Sequence, residues 1–118
     1  MQGITIWHNA RCSASQRALE LIRDAGFEPQ IVDYLRDPPD RATLNGVLAA
    51  AGLSPRGLLR DDEPTHTQLG LDDPAIDDAA LVEAMLRNPV LINRPVVITD
   101  RGTLLCRPPE RVLEILPV

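Results

Sequence analysis

The chain of 118 residues carries 12 basic and 17 acidic side chains, which gives a net charge of −5 and a pI near 4.9. This length fits one ordinary domain. The acidic balance argues against a nucleic-acid or membrane-surface binder, because such proteins need a basic face. No apolar run approaches the ~20 residues of a membrane span, and no basic signal-peptide region opens the chain. Two cysteines are too few for a disulfide framework. We therefore expect a cytoplasmic single domain with reduced thiols.

The first third of the chain predicts a βαβ unit. Residues 4–7 alternate in polarity and are rich in β-branched side chains, which is typical of a strand. Residues 13–25 have helical spacing, and Gly26 is placed to end that helix. Residues 30–35 predict a second strand. Because a helix connects them, the two strands should be parallel.

The middle of the chain predicts short helices. Residues 40–52 predict a helix that ends at a glycine, and Ser54 with the proline after it predicts a short helix running towards Arg60. Residues 61–76 are acidic and polar, and predict a loop that can hold one turn of helix. Residues 77–88 predict another capped helix. A helical region of about residues 40–90 therefore interrupts the α/β pattern.

The last part of the chain predicts a ββα unit. Residues 96–99 and 104–106 are apolar runs on either side of a loop of about four residues that contains a glycine, which indicates a hairpin. A final helix is expected from residue 109 to residue 116. The order predicts an α/β fold of thioredoxin-like plan: a βαβ unit and a ββα unit around a mixed sheet, with an inserted helical region.

Cys12 is the strongest candidate for chemistry. It lies between the end of a predicted strand and the start of a helix, which is where ligands bind in open α/β sheets. The helix dipole and the free backbone N–H groups of Ser13, Ala14 and Ser15 would favour a thiolate and attract an anion. A buried structural cysteine is the alternative, but the neighbouring Arg11 is polar, as are both serines.

Two motif tests narrow the chemistry of this cysteine. A tyrosine-phosphatase loop needs arginine six positions after the cysteine, where this chain has Ala18. The redox motif Cys-x-x-Cys also fails, because Ser15 occupies the second cysteine position. The thiol must therefore be resolved by Cys106 or by an external thiol.

One histidine and three arginines are candidates to assist Cys12. His8 lies at the strand end and could hydrogen-bond or ion-pair with the thiolate, or be an ordinary surface histidine. Arg60, Arg94 and Arg107 lie at element ends and could clamp a tetrahedral oxyanion. Every cation in this chain is arginine, so ordinary surface charge remains an alternative for all three.

Four motifs resemble those of the glutaredoxin-linked arsenate reductases, a family that also contains arsenate-reductase-like proteins. They are Ile4-Thr5-Ile6-Trp7-His8-Asn9 followed by Cys12, Leu58-Leu59-Arg60, Leu91-Ile92-Asn93-Arg94-Pro95-Val96-Val97, and Leu105-Cys106-Arg107-Pro108. The similarity covers residues 4 to about 117. Ala10 stands where the family usually has proline, and Arg17 lies one position later than the family's arginine.

The resemblance implies a thioredoxin-like fold and a site for arsenate. It assigns Cys12 as the nucleophile, Arg60, Arg94 and Arg107 as the oxyanion-binding arginines, and His8 as a residue that helps to hold the thiolate. It also implies a cis peptide bond at the proline after Arg94. A regulatory branch of the family that binds RNA polymerase carries Cys-x-x-Cys, which this chain lacks.

The implied activity is glutathione- and glutaredoxin-dependent reduction of arsenate to arsenite. Glutathione is then a co-substrate and glutaredoxin a partner, with no bound cofactor and no metal, because the chain shows no metal-ligand spacing. Two rival hypotheses remain: a thiol oxidoreductase that removes glutathione from another substrate, and a thiol-sensing interaction protein. Cys106 is expected to pack in the core, facing away from Cys12.

Overall fold

The computed structural model describes residues 3–117 and contains one mixed four-stranded sheet. The strand order is β2-β1-β3-β4, with β1 parallel to β2 and antiparallel to β3, and β3 antiparallel to β4. The strands are β1 (Thr5–Trp7), β2 (Gln30–Val32), β3 (Val96–Thr99) and β4 (Gly102–Leu105). Both predicted units, βαβ and ββα, are confirmed.

Helix α1 (Ser13–Asp24) connects β1 to β2 and packs its apolar stripe against the sheet. A 3₁₀ helix at the other end of the chain (Pro109–Glu114) packs beside α1. Gly26 follows α1 with φ +93°, a conformation that favours glycine at a helix end. The shared core is aliphatic, as the shortage of aromatic residues requires, and contains Ile4, Ile6, Ala18, Ile22, Val97, Cys106, Val112, Ile115 and Leu116.

Three elements of this part differ from the sequence prediction. Strand β2 ends at Val32 rather than at residue 35, because the Asp33 carbonyl accepts two backbone N–H groups and turns the chain. The hairpin loop has two residues rather than four, since Gly102 already pairs with Thr99. The final helix is a 3₁₀ helix rather than an α-helix.

Residues 38–93 form a second compact unit, which is helical. It contains α2 (Arg41–Ala51), α3 (Pro55–Leu58), α4 (Pro64–Gln68), α5 (Asp78–Arg87) and a 3₁₀ turn (Pro89–Leu91). The side chains of Asp40, Ser54 and Asp77 accept backbone N–H groups in the first turns of α2, α3 and α5, which confirms the caps predicted for α3 and α5. Helix α4 is the turn of helix allowed within the predicted acidic loop.

Two backbone hydrogen bonds tie the end of α3 to the segment before β3 within this second unit. The N–H of Arg60 donates to the carbonyl of Leu91 at 2.7 Å, and the N–H of Asn93 donates to the carbonyl of Leu58 at 2.8 Å. The arginine is thereby fixed at its backbone. No helix among residues 3–117 is both long and apolar enough to cross a membrane.

Candidate active site

Cys12 is the N-cap residue of α1, as its sequence position predicted. Its backbone is extended (φ −95°, ψ 122°), while its carbonyl already accepts the first helical N–H, from Gln16, at 3.0 Å. Its side chain makes no capping hydrogen bond, and it is a partly exposed free thiol. The first-turn N–H groups of α1 are therefore left to face the sulfur or a bound anion.

The surroundings of Cys12 favour its thiolate. Partial burial alone would raise the pKa of Cys12, but backbone N–H groups of Ser15 and Ala14 and the charge and hydrogen bonding of Arg94 outweigh it. The net effect holds the pKa of the thiol below its ordinary value. This direction agrees with the one expected from the sequence, and Arg94 is a cation that contributes to it.

The sheet register explains why Arg94 and Arg107 lie at the end of the sheet where β1 leads to Cys12. Trp7 pairs with Val96, and Val96 pairs with Leu105, so the end of β1 lies beside the start of β3 and the end of β4. Arg94 comes two residues before this pair and Arg107 two residues after it. The sheet thus delivers both arginines to the edge from which α1 begins.

Arg94 and Arg107 differ in burial and in contacts. The Arg94 residue is 8% exposed and precedes Pro95 through a cis peptide bond, as the resemblance implied. Arg107 is exposed, and one of its guanidinium nitrogens donates to the carbonyl of Arg94 at 3.1 Å. Arg94 therefore lies beside the thiol, while Arg107 is exposed and contacts the backbone of Arg94; its role in anion binding stays a prediction.

Arg60 lies in the unit of residues 38–93, directly after α3. Its side chain is 20% exposed and pairs with two carboxylates, Asp62 at 3.0 Å and Glu63 at 3.6 Å. These ion pairs orient the guanidinium. They also add negative charge next to a residue that the sequence assigns to anion binding.

His8 is hydrogen-bonded to a serine. Its Nδ1 lies 2.7 Å from the Oγ of Ser15. Burial lowers the pKa of His8 below its ordinary value; Asp33 opposes this shift and Arg23 adds to it. The imidazole is therefore mostly neutral at pH 7, which does not favour an ion pair with the Cys12 thiolate. Its role at the thiol stays a prediction.

Residues 13–15 contribute to the site in different ways. Ser13 is exposed, and Ala14 offers its backbone N–H to the sulfur. The hydroxyl of Ser15 is fully buried and bonded to His8 and to the N–H of Asn9, so only its backbone is available to an anion. Sequence reasoning missed this hydroxyl pairing. Ser15 shares helical spacing with the buried Ala18, and that spacing was the available signal.

Cys106 packs in the core, as predicted. It is 0% exposed, and burial raises the pKa of its thiol to about 12. Strand β4 ends one residue earlier than predicted, although the N–H of Cys106 still donates to the carbonyl of Pro95 at 2.9 Å. Both cysteines are free thiols.

A cavity of about 210 Å³ lies within the unit of residues 38–93. It is lined by Arg56, Leu59, Asp61, His66 and Asp72. None of these residues was a candidate from the sequence, in which His66 lies in the predicted loop. In the described range 3–117, no three His, Cys, Asp or Glu side chains are grouped to hold a metal ion.

Comparison with known proteins gives consistent matches over almost the whole chain. The model of the ArsC family matches residues 7–115. An arsenate reductase of Rhizobium meliloti (strain 1021) is 50% identical over 114 residues, which are 97% of this chain and 81% of that protein. An arsenate reductase of Escherichia coli (strain K12) is 49% identical over 117 residues, which are 99% and 83% of the two chains.

A solved structure shows the same fold. The arsenate reductase from Vibrio cholerae superposes with a TM-score of 0.93 at 37% identity and covers 98% of both chains. The thioredoxin-like prediction is therefore confirmed. With a thiol at the start of α1, a buried arginine beside it and a family model that spans nearly every element, the chain belongs to the ArsC family.

Proposed function

We propose that this protein is an arsenate reductase in which Cys12 is the nucleophile. The observation that carries the proposal is the position of Cys12 at the start of α1, where backbone N–H groups and Arg94 lower the pKa of its thiol. A thiolate beside N–H donors and a guanidinium can both bind a tetrahedral oxyanion and attack its central atom. The arsenate reductases at 49–50% identity support arsenate as that oxyanion.

Three arginines would bind the oxyanion in this proposal. Arg94 is buried at the thiol, Arg107 contacts the backbone of Arg94 from the exposed side, and Arg60 is held by its own ion pairs. A guanidinium pairs two oxygens at once through parallel N–H groups, which suits a tetrahedral oxyanion. The preorganised charge would stabilise the negative charge that develops during attack.

The reaction balances with two thiols. The Cys12 thiolate bonds to the arsenic of arsenate, and one arsenate oxygen leaves as water after protonation. Glutathione then attacks the Cys12 sulfur or the arsenic, so that the two sulfurs form a disulfide and give two electrons to arsenic(V). The products are arsenite and Cys12 joined to glutathione, which glutaredoxin clears by thiol exchange. No resident cofactor or metal takes part in this scheme.

An external thiol fits the chain better than an internal one. The other cysteine, Cys106, is buried with its pKa raised to about 12, so it is a poor attacking group.

The proposal treats the chain as one thioredoxin-like domain with a helical insertion of about residues 40–90. It places the reaction in the cytoplasm, where the glutathione pool keeps thiols reduced.

A coupled assay tests the proposal against its two rivals. The protein is mixed with arsenate, glutathione, glutaredoxin, glutathione reductase and NADPH, and NADPH consumption is followed. Turnover above the blank without arsenate supports the reductase, and arsenite in the product confirms the reaction. Turnover of glutathione mixed disulfides alone would indicate the deglutathionylating oxidoreductase. Inactivity with both substrates would favour a thiol-sensing interaction protein.

A further inference from the structure

We propose that Ser15 is a positioning residue whose buried hydroxyl fixes His8 as the neutral Nε2–H tautomer and holds the loop before α1 in the geometry that favours the Cys12 thiolate. The inference deepens the proposed function, since it rests on Cys12 being the reactive group. Three features carry it: the burial of the hydroxyl, its two hydrogen bonds, and the path of the loop.

The hydroxyl of Ser15 joins two segments on either side of the reactive cysteine. Ser15 is 0% exposed, and its Oγ lies 2.7 Å from Nδ1 of His8. The same oxygen accepts the backbone N–H of Asn9 at 3.0 Å. The Ser15 side chain on α1 is therefore bonded both to His8, directly after β1, and to Asn9 in the loop that leads to Cys12.

The single proton of the Ser15 hydroxyl determines the tautomer of His8. A serine hydroxyl has one proton to donate and accepts through its lone pairs, and the Asn9 N–H already uses one lone pair. If the hydroxyl donates to Nδ1 of His8, its proton is satisfied within the buried site. If Nδ1 carried a hydrogen, the hydroxyl proton would need an acceptor other than His8, and its second partner, the Asn9 N–H, is a donor. The first arrangement places the imidazole hydrogen on Nε2.

The charged groups around His8 permit the neutral form that this arrangement requires. Burial acts against the imidazolium; the Asp33 carboxylate favours it, and the Arg23 guanidinium disfavours it. The Arg94 guanidinium acts on the Cys12 thiol and lowers its pKa. Because His8 stays neutral, its hydrogen bond to Ser15 adds no charge near His8 or near Cys12. Ser15 therefore acts through geometry and hydrogen bonding.

The loop of residues 8–12 depends on the same hydroxyl. The Asn9 N–H donates to Ser15, and the Asn9 carbonyl accepts the N–H of Cys12 at 3.0 Å. The backbone N–H of Ser15 in turn lowers the pKa of the Cys12 thiol. Loss of the hydroxyl would leave the Asn9 N–H and the His8 Nδ1 without their partner and would loosen the cysteine against the N–H groups of α1.

The test compares Ser15→Ala with Thr99→Val in the full chain. Alanine is the best helix former, so Ser15→Ala should keep α1 intact, and circular dichroism checks that it does. Thr99→Val is the matched control: it also removes a buried hydroxyl of the same unit, which donates to the carbonyl of Ile115 at 2.6 Å and accepts the N–H of Arg101 at 3.0 Å. It lies at the far end of β3 from Arg94.

Two measurements that need no arsenate read out the effect. Nitrogen-15 NMR of the His8 ring should show the Nε2–H tautomer in the wild type and a shift towards the Nδ1–H form in Ser15→Ala. The pH midpoint for alkylation of Cys12 by iodoacetamide should rise by about 0.7 pH unit, roughly fivefold in the ionisation constant. Thr99→Val should change neither quantity.

A result that contradicts the expectation in either measurement overturns the proposal. An unchanged tautomer or an unchanged alkylation midpoint in Ser15→Ala would show that the hydroxyl does not position the site, as would equal changes in Thr99→Val. Arsenate turnover is measured separately on the wild type. If turnover is absent while both expected changes occur, the proposed function fails and the role of Ser15 stands.

Discussion

Replacing Cys106 should leave arsenate reduction almost intact, whereas Cys12→Ser should abolish it. Cys106 is fully buried among aliphatic side chains of the sheet and α1, and its thiol donates a long hydrogen bond of 3.7 Å to the carbonyl of Leu104. Cys12 is partly exposed at the start of α1. The two cysteines therefore differ in access as well as in ionisation.

The difference in ionisation can be expressed as a fraction of thiolate. With its pKa raised to about 12, Cys106 has about one thiolate in 10⁵ molecules at pH 7. The pKa of Cys12 is held below its ordinary value, so its thiolate fraction is larger by orders of magnitude. Attack by Cys106 on a Cys12 disulfide would also require the core to open, which external glutathione does not need.

The assay uses Cys106→Ala, with Cys106→Ser as a second variant. Alanine keeps the site apolar, whereas serine buries a hydroxyl at a cost of about 1–3 kcal/mol and should lower the melting temperature more. Both should retain most of the turnover at a temperature where they are folded. Mass spectrometry of the wild type after one turnover should find glutathione on Cys12. An internal disulfide between the two cysteines, together with an inactive Cys106→Ala, would refute the reasoning.

Three further predictions concern the arginines. Arg60→Ala and Arg94→Ala should each lower kcat/KM for arsenate by a factor of about 10²–10³, the loss expected for a preorganised donor. The controls Arg36→Ala and Arg41→Ala change exposed arginines and should not lower it. Equal losses in all four variants would exclude an oxyanion clamp. Arg94→Ala should also move the alkylation midpoint of the catalytic thiol upward, because its guanidinium lowers that pKa, and an unmoved midpoint would contradict this. Glu63→Gln should lower KM for arsenate with little change in kcat, because it removes a negative charge 3.6 Å from the Arg60 guanidinium. A raised KM would indicate instead that the ion pair is needed to orient Arg60.

Local signals in the sequence were sufficient for most elements of the fold. Each helix cap acts within one turn of its own helix: the side chains of Asp40, Ser54 and Asp77 bond to N–H groups in the first turn, and Gly26 directly follows the end of α1. Such signals can be recognised without knowledge of the rest of the chain. The position of Cys12 between a strand and a helix is local in the same sense. Strand length was less readable, because β2 ends where Asp33 turns the chain while the apolar pattern continues to residue 35.

The strand–cysteine–helix order and the parallel βαβ unit were readable from the sequence, and its family motifs pointed to the candidate arginines. Which groups meet depends on the folded chain: strand pairing places Arg94 at the thiol, and packing buries Cys106 and the hydroxyl of Ser15. Spacing along the chain cannot give these results, because the pKa of a thiol and the partner of a hydroxyl depend on groups brought within a few ångströms by long-range pairing. For the same reason the position of His8 at the strand end could not reveal its hydrogen bond to Ser15, and its role at the thiolate stays a prediction.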